Sequence, residues 1–251
     1  MLILLSPAKK QNFDKKSSLS LQCSQPRFLE QTEALIKVLK GKTVSDLQKL
    51  MSISPALAKL NVERFQSFEE APTLPAVFAF QGDVYQGLKA ETLSESALEF
   101  AQEHLLILSG LYGILRPLDV IKPHRLEMGS ALVTEQAKNL YQYWDGVITD
   151  AINQRLSQDK NPILINLASQ EYFKSVQVKR LKYPLIHVEF KEHANGQYRT
   201  IALLAKRARG KMARYIVSKG LDEPEAIKGF NVDGYQFSLT HSTGDHWVFV
   251  R

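Results

Sequence analysis

Three stretches of this chain limit what it can fold into: MLILL at its start, AVFAF at 76–80 and the apolar heart of NPILINLAS at 161–169. A short run that no polar residue interrupts, bounded by turn-forming residues, reads as a strand buried on both faces. Helical spacing fills the intervals. PRFLEQTEALIKVLKG carries Pro26 near its start and Gly41 as its stop, and a second helical pair spans roughly 43–66. SESALEFAQEH opens on a Ser cap with Glu in its first turn and runs into the apolar LLILSG. EQAKNLYQYWDGVITDAINQRLS is the longest helical pattern, QGDVYQGL reads as a turn, and residues 12–26 read as polar loop. Asn195-Gly196, between LIHVEFKEHA and QYRTIALLA, signals a hairpin; a basic helix at about 206–219 and two short strands near 234–239 and 246–250 complete the chain. Strands that interleave with helices, at least one pair antiparallel, predict an α/β (mixed α+β) fold: a mixed sheet surrounded by helices. No linker, internal repeat or low-complexity segment divides the chain, so residues 1–251 are expected to form a single compact domain.

Composition narrows the class. A hydrophobic content of 44% with 23% charged residues suits a globular protein and argues against disorder as its main state. No apolar run approaches the ~20 residues that span a bilayer, and the start lacks the basic and apolar regions of a secretory signal. A lone cysteine, Cys23, excludes an internal disulfide and fits a reducing compartment, so a cytoplasmic protein without membrane attachment is expected. The net charge of +6 is unevenly spread: residues 174–219 hold twelve basic and two acidic residues, leaving the rest of the chain slightly acidic. Such a block is either a solvated surface or a field that draws polyanions.

Several motifs carry candidate chemistry. LSGLYGILRPLDVIKPHRLEMG at 108–129 is too broken by glycine and proline for a helix or strand, and it displays Arg116, Lys122, His124 and Arg125. It is either a loop holding a corner of the fold or one wall of an anion site. In SDLQKLMSISPALAKLNVERF, Ser52-Ile53-Ser54 followed by Ala58 resembles a helix-hairpin-helix that grips nucleic-acid backbone, with Lys59 placed to help and serines where glycines are usual. The plain alternative has Ser54 capping a helix whose first turn holds Pro55. In LAKRARGKMARYIVSKG, helical geometry puts Arg207, Lys211 and Arg214 in one stripe, opposite Ala205, Met212 and Ile216, with Lys206 and Arg209 in the same basic run. Gly210 in its middle permits close approach by a ligand or another helix. SPAKK places Lys9 after the first strand, where open α/β sheets bind ligands. NLASQEYFKSV offers Ser169, Glu171, Tyr172 and Lys174 in a similar place, and GDVYQGL offers Asp83. Lys9, Asp83 and Glu171 are the candidate catalytic groups, should the loops converge. The six histidines show no close metal-ligand spacing, and no phosphate-loop or nucleophile-elbow motif is present, so neither metal nor cofactor is expected.

LILLSPAK, GDVYQGL, LSGLYGILRPLD with KPHRLEM, NLYQYW, INLASQEYFKSV, AKRARGKMARY and GFNVDGYQF occur in this order over nearly the whole chain, which therefore resembles the YaaA family of bacterial peroxide stress proteins. The resemblance implies a cytoplasmic protein that limits unincorporated intracellular iron, with a compact α/β architecture of unusual topology, a positively charged cleft, a helix-hairpin-helix element and binding to double-stranded DNA. No protein partner is implied. On this reading the phosphate contacts fall to Lys9, Ser52, Ser54, Lys59, Arg116, Arg125, Lys174, Lys206, Arg207, Arg209, Lys211 and Arg214, with Arg116 and Arg125 facing the basic helix. The alternative is an enzyme acting on a nucleic acid, nucleobase or nucleotide in the same cleft.

Overall fold

Leu2–Leu5 (β1) has all four side chains fully buried, as a strand without polar residues must be covered on both faces. A computed structural model describes residues 1–14, 21–194 and 196–251. In it β1 pairs in parallel with Leu105–Ser109 (β2) on one side, in register Ile3 to Leu105. Gly113–Leu115 (β3) returns antiparallel to β2. On the other side β1 pairs in parallel with Leu164–Asn166 (β4), and β4 with Leu185–Ala194 (β5). Gln197–Arg199 (β6) hairpins back on β5 through Gly196; Asn195, half of the expected turn, lies outside the described residues. Gln236–Phe237 (β7) and His246–Val250 (β8) close that edge, β8 parallel to β5 and β7 antiparallel to β8. The result is an eight-stranded mixed sheet, β7-β8-β5-β4-β1-β2-β3 with β6 on β5. Helices flank it, as the interleaved pattern predicts.

The helix signals mostly hold. Leu29–Lys40 (α1) ends at Gly41; Val44–Met51 (α2) starts with a capping box between Thr43 and Asp46; Pro55–Gln66 (α3) follows after three residues. Ser94 caps Glu95–His104 by accepting the Ala97 N–H. Three expectations fail, two of them because tertiary partners override local pattern. AVFAF is a strand only at its end: Ala76–Ala79 make one helical turn, with Ala76 and Val77 N–H donating to the carbonyls of Asp119 and Pro117, and only Phe80 enters a two-residue strand, Phe80–Gln81, antiparallel to Lys10–Gln11. GDVYQGL is not a turn: Gly82, at φ 140 where only glycine is unstrained, launches a short helix over Asp83–Leu88 (α4). The longest helical pattern is cut at Asp145 and Gly146 into Leu140–Trp144 (α5) and Val147–Leu156 (α6), and the residues before Leu140 are not helical.

Ala202–Lys219 (α7) is longer than the basic helix expected and crosses α4 at backbone contact. A Cβ at Gly210 would overlap the Val84 carbonyl oxygen, and one at Gly87 would overlap the Arg207 carbonyl oxygen. The glycine in the basic helix thus serves helix packing. Gly210→Ala should destabilise the protein by about 3 kcal/mol, since backbone cannot move aside as a flexible side chain does. Urea unfolding checks this against Gly244→Ala, whose Cβ would meet nothing within 4 Å and which should change stability by less than ~0.5 kcal/mol.

Candidate functional site

Leaving β1 the chain runs on to β2 on one side, whereas β4 lies on the other, so the order of the sheet reverses between β1 and β4. Loops at the carboxyl ends of two such strands diverge and leave a crevice, the usual ligand position in open α/β sheets. Here the loops are pinned to one another: Ser169 N–H donates to Ser6 Oγ (2.8 Å) and Ser6 Oγ–H to Ser169 Oγ (3.2 Å). Asn166 Oδ1 accepts the Ala168 N–H (2.9 Å), bending the second loop. The Tyr85 hydroxyl donates to the Ser6 carbonyl (3.1 Å), bringing α4 to the same place. A cavity of about 520 Å³ opens between them, with Lys9, Lys10, Lys206 and Arg209 as its cations, Asp83 and Glu171 as its carboxylates, and Ala8, Val84 and Leu167 among its apolar walls.

A tighter recess of about 20 Å³ shares Lys9 and Tyr172 with this cavity and adds His124, Arg125 and Glu127. Glu127 is buried and answers two cations, Arg125 at 2.8 Å and Lys9 at 4.0 Å. Burial, then the nearby Glu171 and Glu127 carboxylates, push the Tyr172 hydroxyl well above the usual phenol range, keeping it a neutral hydrogen-bonding group. Burial also lowers His124 to about 4, against the pull of the Lys122 carbonyl. A neutral His124 donates from Nδ1 to that carbonyl (2.7 Å), which leaves Nε2 as the acceptor. Glu171 Oε1 is held by the Gly129 N–H (3.2 Å), and Asp83 stands in the first turn of α4.

The sequence candidates Lys9, Asp83 and Glu171, more than 70 residues apart from one to the next, therefore line one cavity, joined by Lys206 and Arg209. Arg125 reaches the adjoining recess. Arg209 differs from the paired cations: its Nε, like that of Arg207, is buried without a hydrogen-bond partner, but among the described residues Arg209 makes no ion pair within 4 Å, whereas Arg207 meets Asp83. Burial lowers its affinity for the proton, and Glu189 partly restores it.

The remaining cations are engaged elsewhere. Arg116 does not face α7; it pairs with buried Asp119 at 3.4 Å and lines a separate cavity of about 340 Å³ with Arg27 and Arg155. The expected stripe of Arg207, Lys211 and Arg214 lies against protein, because the Gly210 crossing turns it toward α4 and its neighbours. Arg207 meets Asp83 at 3.5 Å, Lys211 pairs with Asp233, and Arg214 donates to the Leu88 and Lys89 carbonyls at 2.9 Å, closing the end of α4. Lys174 sits over the Tyr141 ring at 4.9 Å. In the hairpin between α2 and α3, Ser52 adopts a left-handed conformation (φ 50), and both its N–H and that of Ile53 donate to the Gln48 carbonyl. Ser54 caps α3 through the Leu57 N–H with Pro55 in the first turn, the plain reading of this motif, and Lys59 is exposed on α3.

Lys10 and Glu127 escaped the sequence reading as site residues. Lys10 follows Lys9 without helical or strand pattern to orient it, and Glu127 carries no signal of the burial it acquires. The 108–129 segment holds a corner of the fold and also forms a wall of the recess. Up to Lys122 it holds a corner, with Trp144 Nε1 donating to the Gly110 carbonyl (2.9 Å) and the Tyr112 hydroxyl accepting the Lys122 N–H (3.1 Å). From His124 to Glu127 it walls the recess. No group of three or more His, Cys, Asp or Glu among the described residues is arranged to hold a metal ion, and no helix among them is long and apolar enough to cross a membrane.

Fold and cavity together define a mixed α/β protein whose sheet opens, at its switch point, on a recess rimmed by cations and floored with carboxylates. Residues 1–241 match the family described as peroxide stress protein YaaA, and the chain belongs to that family. It is 49% identical to a UPF0246 protein of Bordetella petrii over 255 residues, covering 100% of this chain and 99% of the relative. A UPF0246 protein of Caulobacter vibrioides is likewise 49% identical over 253 residues, with the same coverage. One of Janthinobacterium sp. is 45% identical, covering 100% and 98%.

The buried His124 makes stability depend on pH. Its folded value of about 4 lies below the ordinary 6.5, so between those values the unfolded chain takes up a proton that the folded chain refuses. Stability should therefore fall as pH drops through that window, by roughly 3 kcal/mol in all at 1.36 kcal/mol per unit. Urea midpoints at pH 7, 5.5 and 4.5 should show the decline, and His124→Gln should remove most of this share of it.

Proposed function

We propose that this protein serves peroxide protection as a double-stranded DNA-binding protein, holding backbone phosphates at the cation-rimmed cavity between the β1 and β4 loops. The observation that carries the reading is Arg209. A guanidinium with a buried, unpartnered Nε beside an open cavity, flanked there by Lys9, Lys10 and Lys206, is suited to an anionic ligand. The twelve basic residues of 174–219 supply long-range attraction, but ion pairs and carbonyl contacts occupy many of them. Contact with phosphate therefore falls to the few that remain uncommitted. Limitation of unincorporated iron in the cytoplasm belongs to the same reading. The whole chain acts as one domain in it.

Each neutralised phosphate adds ~0.9 to the slope of log affinity against log salt. Replacing Lys9, Lys206 and Arg209 by Ala should flatten that slope by roughly two to three and weaken binding to all duplex sequences alike. Replacing Arg207, Lys211 and Arg214 should chiefly lower thermal stability, since these hold α4 and Asp233. Fluorescence anisotropy over a salt series checks both. A slope reduced only by the second set would place the DNA site elsewhere.

A further inference from the structure

A groove built only to follow a phosphate backbone gains nothing from negative charge, yet this cavity holds Asp83 and Glu171, with Glu127 just beyond. Both cavity carboxylates are held in place. Glu171 has one oxygen on the Gly129 N–H, and Asp83 is anchored by Arg207. Held this way, each presents an oxygen that accepts hydrogen bonds and cannot donate one. The remaining wall is apolar, formed by Ala8, Val84 and Leu167, and Tyr172 closes the inner end. Cations, apolar wall and carboxylates within one cavity of about 520 Å³ match the parts of a single nucleotide better than those of a continuous strand. The volume lies inside the range of about 300–1,000 Å³ that small-ligand sites occupy.

We propose that the cavity is a recess for one nucleotide unit: its phosphate meets Arg209 and Lys206, and its base, one bearing an exocyclic amino group, lies along the apolar wall with that amino group donating to Asp83 or Glu171. The proposal rests on the nucleic-acid reading above and deepens it, because a paired base inside a duplex cannot reach such a recess and must first leave the stack. Carboxylates favour bases with an exocyclic amino donor over thymine, whose one ring donor, N3–H, lies between two carbonyl oxygens that a carboxylate repels. The same chemistry can arrive as an unpaired nucleotide in DNA or as a free mononucleotide, and the two sources are separable by experiment.

Two titrations of the full-length protein decide it. In the first, a duplex carries 2-aminopurine, an amino-bearing base, either correctly paired or opposite an abasic site. The expected result is at least tenfold tighter binding of the unpaired form with a several-fold rise in 2-aminopurine emission. The double variant D83N/E171Q should lose both. In the second, calorimetry with dAMP, dCMP, dGMP and dTMP should show saturable binding of one molecule per chain for the first three and at least tenfold weaker binding of dTMP. Lys206→Ala, at an exposed side chain that folding does not depend on, should weaken that binding at least fivefold, with an unchanged melting temperature showing that the fold is intact. Success in the first titration assigns the recess to DNA, and success in the second alone assigns it to free nucleotides; either supports it. Tight binding of fully paired duplex with no response in either titration overturns the recess and leaves the DNA-binding reading standing. Mononucleotide binding without any duplex binding overturns that reading and keeps the recess. Ligand binding indifferent to D83N/E171Q overturns the assigned contacts with the base.

Discussion

Helices α4 and α7 touch backbone to backbone at Gly87 and Gly210, and the geometry of the cavity follows from that contact. Side chains larger than hydrogen at either position would separate the helices, and α4 would no longer lie over the loop that follows β1. The contact holds Asp83, in the first turn of α4, opposite Lys206 and Arg209 on α7. Tyr85, one turn into α4, completes the attachment through its hydrogen bond to the Ser6 carbonyl. Two short loops, one short helix and one long helix thus become a single rigid mouth without any element contributing more than a few residues. Glycine in a helix interior weakens that helix by about 1 kcal/mol relative to alanine, a modest loss beside the packing it permits.

The distribution of charge follows the same logic of place over number. Arg207, Lys211 and Arg214 belong to the most basic stretch of the chain, yet each is tied to protein. Half-exposed pairs of this sort contribute little stability singly. Their effect is to orient: Arg214 supplies donors to carbonyls at the end of α4 that the helix leaves unsatisfied. Arg209, two residues from Arg207 and on another side of the same helix, is left without a partner among the described residues at the cavity edge. A buried donor with no acceptor is unfavourable by about 1–3 kcal/mol, and the Nε atoms of Arg207 and Arg209 are both of this kind.

Much of the architecture was legible in the sequence. Uninterrupted apolar runs marked β1 and β4, and Ser94 and Gly41 marked helix ends. AVFAF and QGDVYQGL were misread for a shared reason. Over five to eight residues, strand, turn and single helical turn have similar apolar patterns, and distant partners choose among them: the Asp119 and Pro117 carbonyls for Ala76 and Val77, and α7 for Asp83–Leu88. The break at Asp145-Gly146 lay in plain view as a glycine, but helical spacing continued across it.

Local sequence alone determined which stretches are buried strands and amphipathic helices, because periodicity and capping are properties of neighbours in the chain. It also placed Lys9, Asp83 and Glu171 in polar segments just after short apolar runs, although Asp83 and Glu171 then stand in short helices. Only the tertiary structure decided that these three meet, that Arg116 turns away to Asp119, and that Arg209 makes no hydrogen bond or ion pair among the described residues while Arg207 meets Asp83 and Arg214 donates to carbonyls. The reason is physical: a side chain's partners depend on which backbones approach, and here two glycines far apart in sequence set that approach.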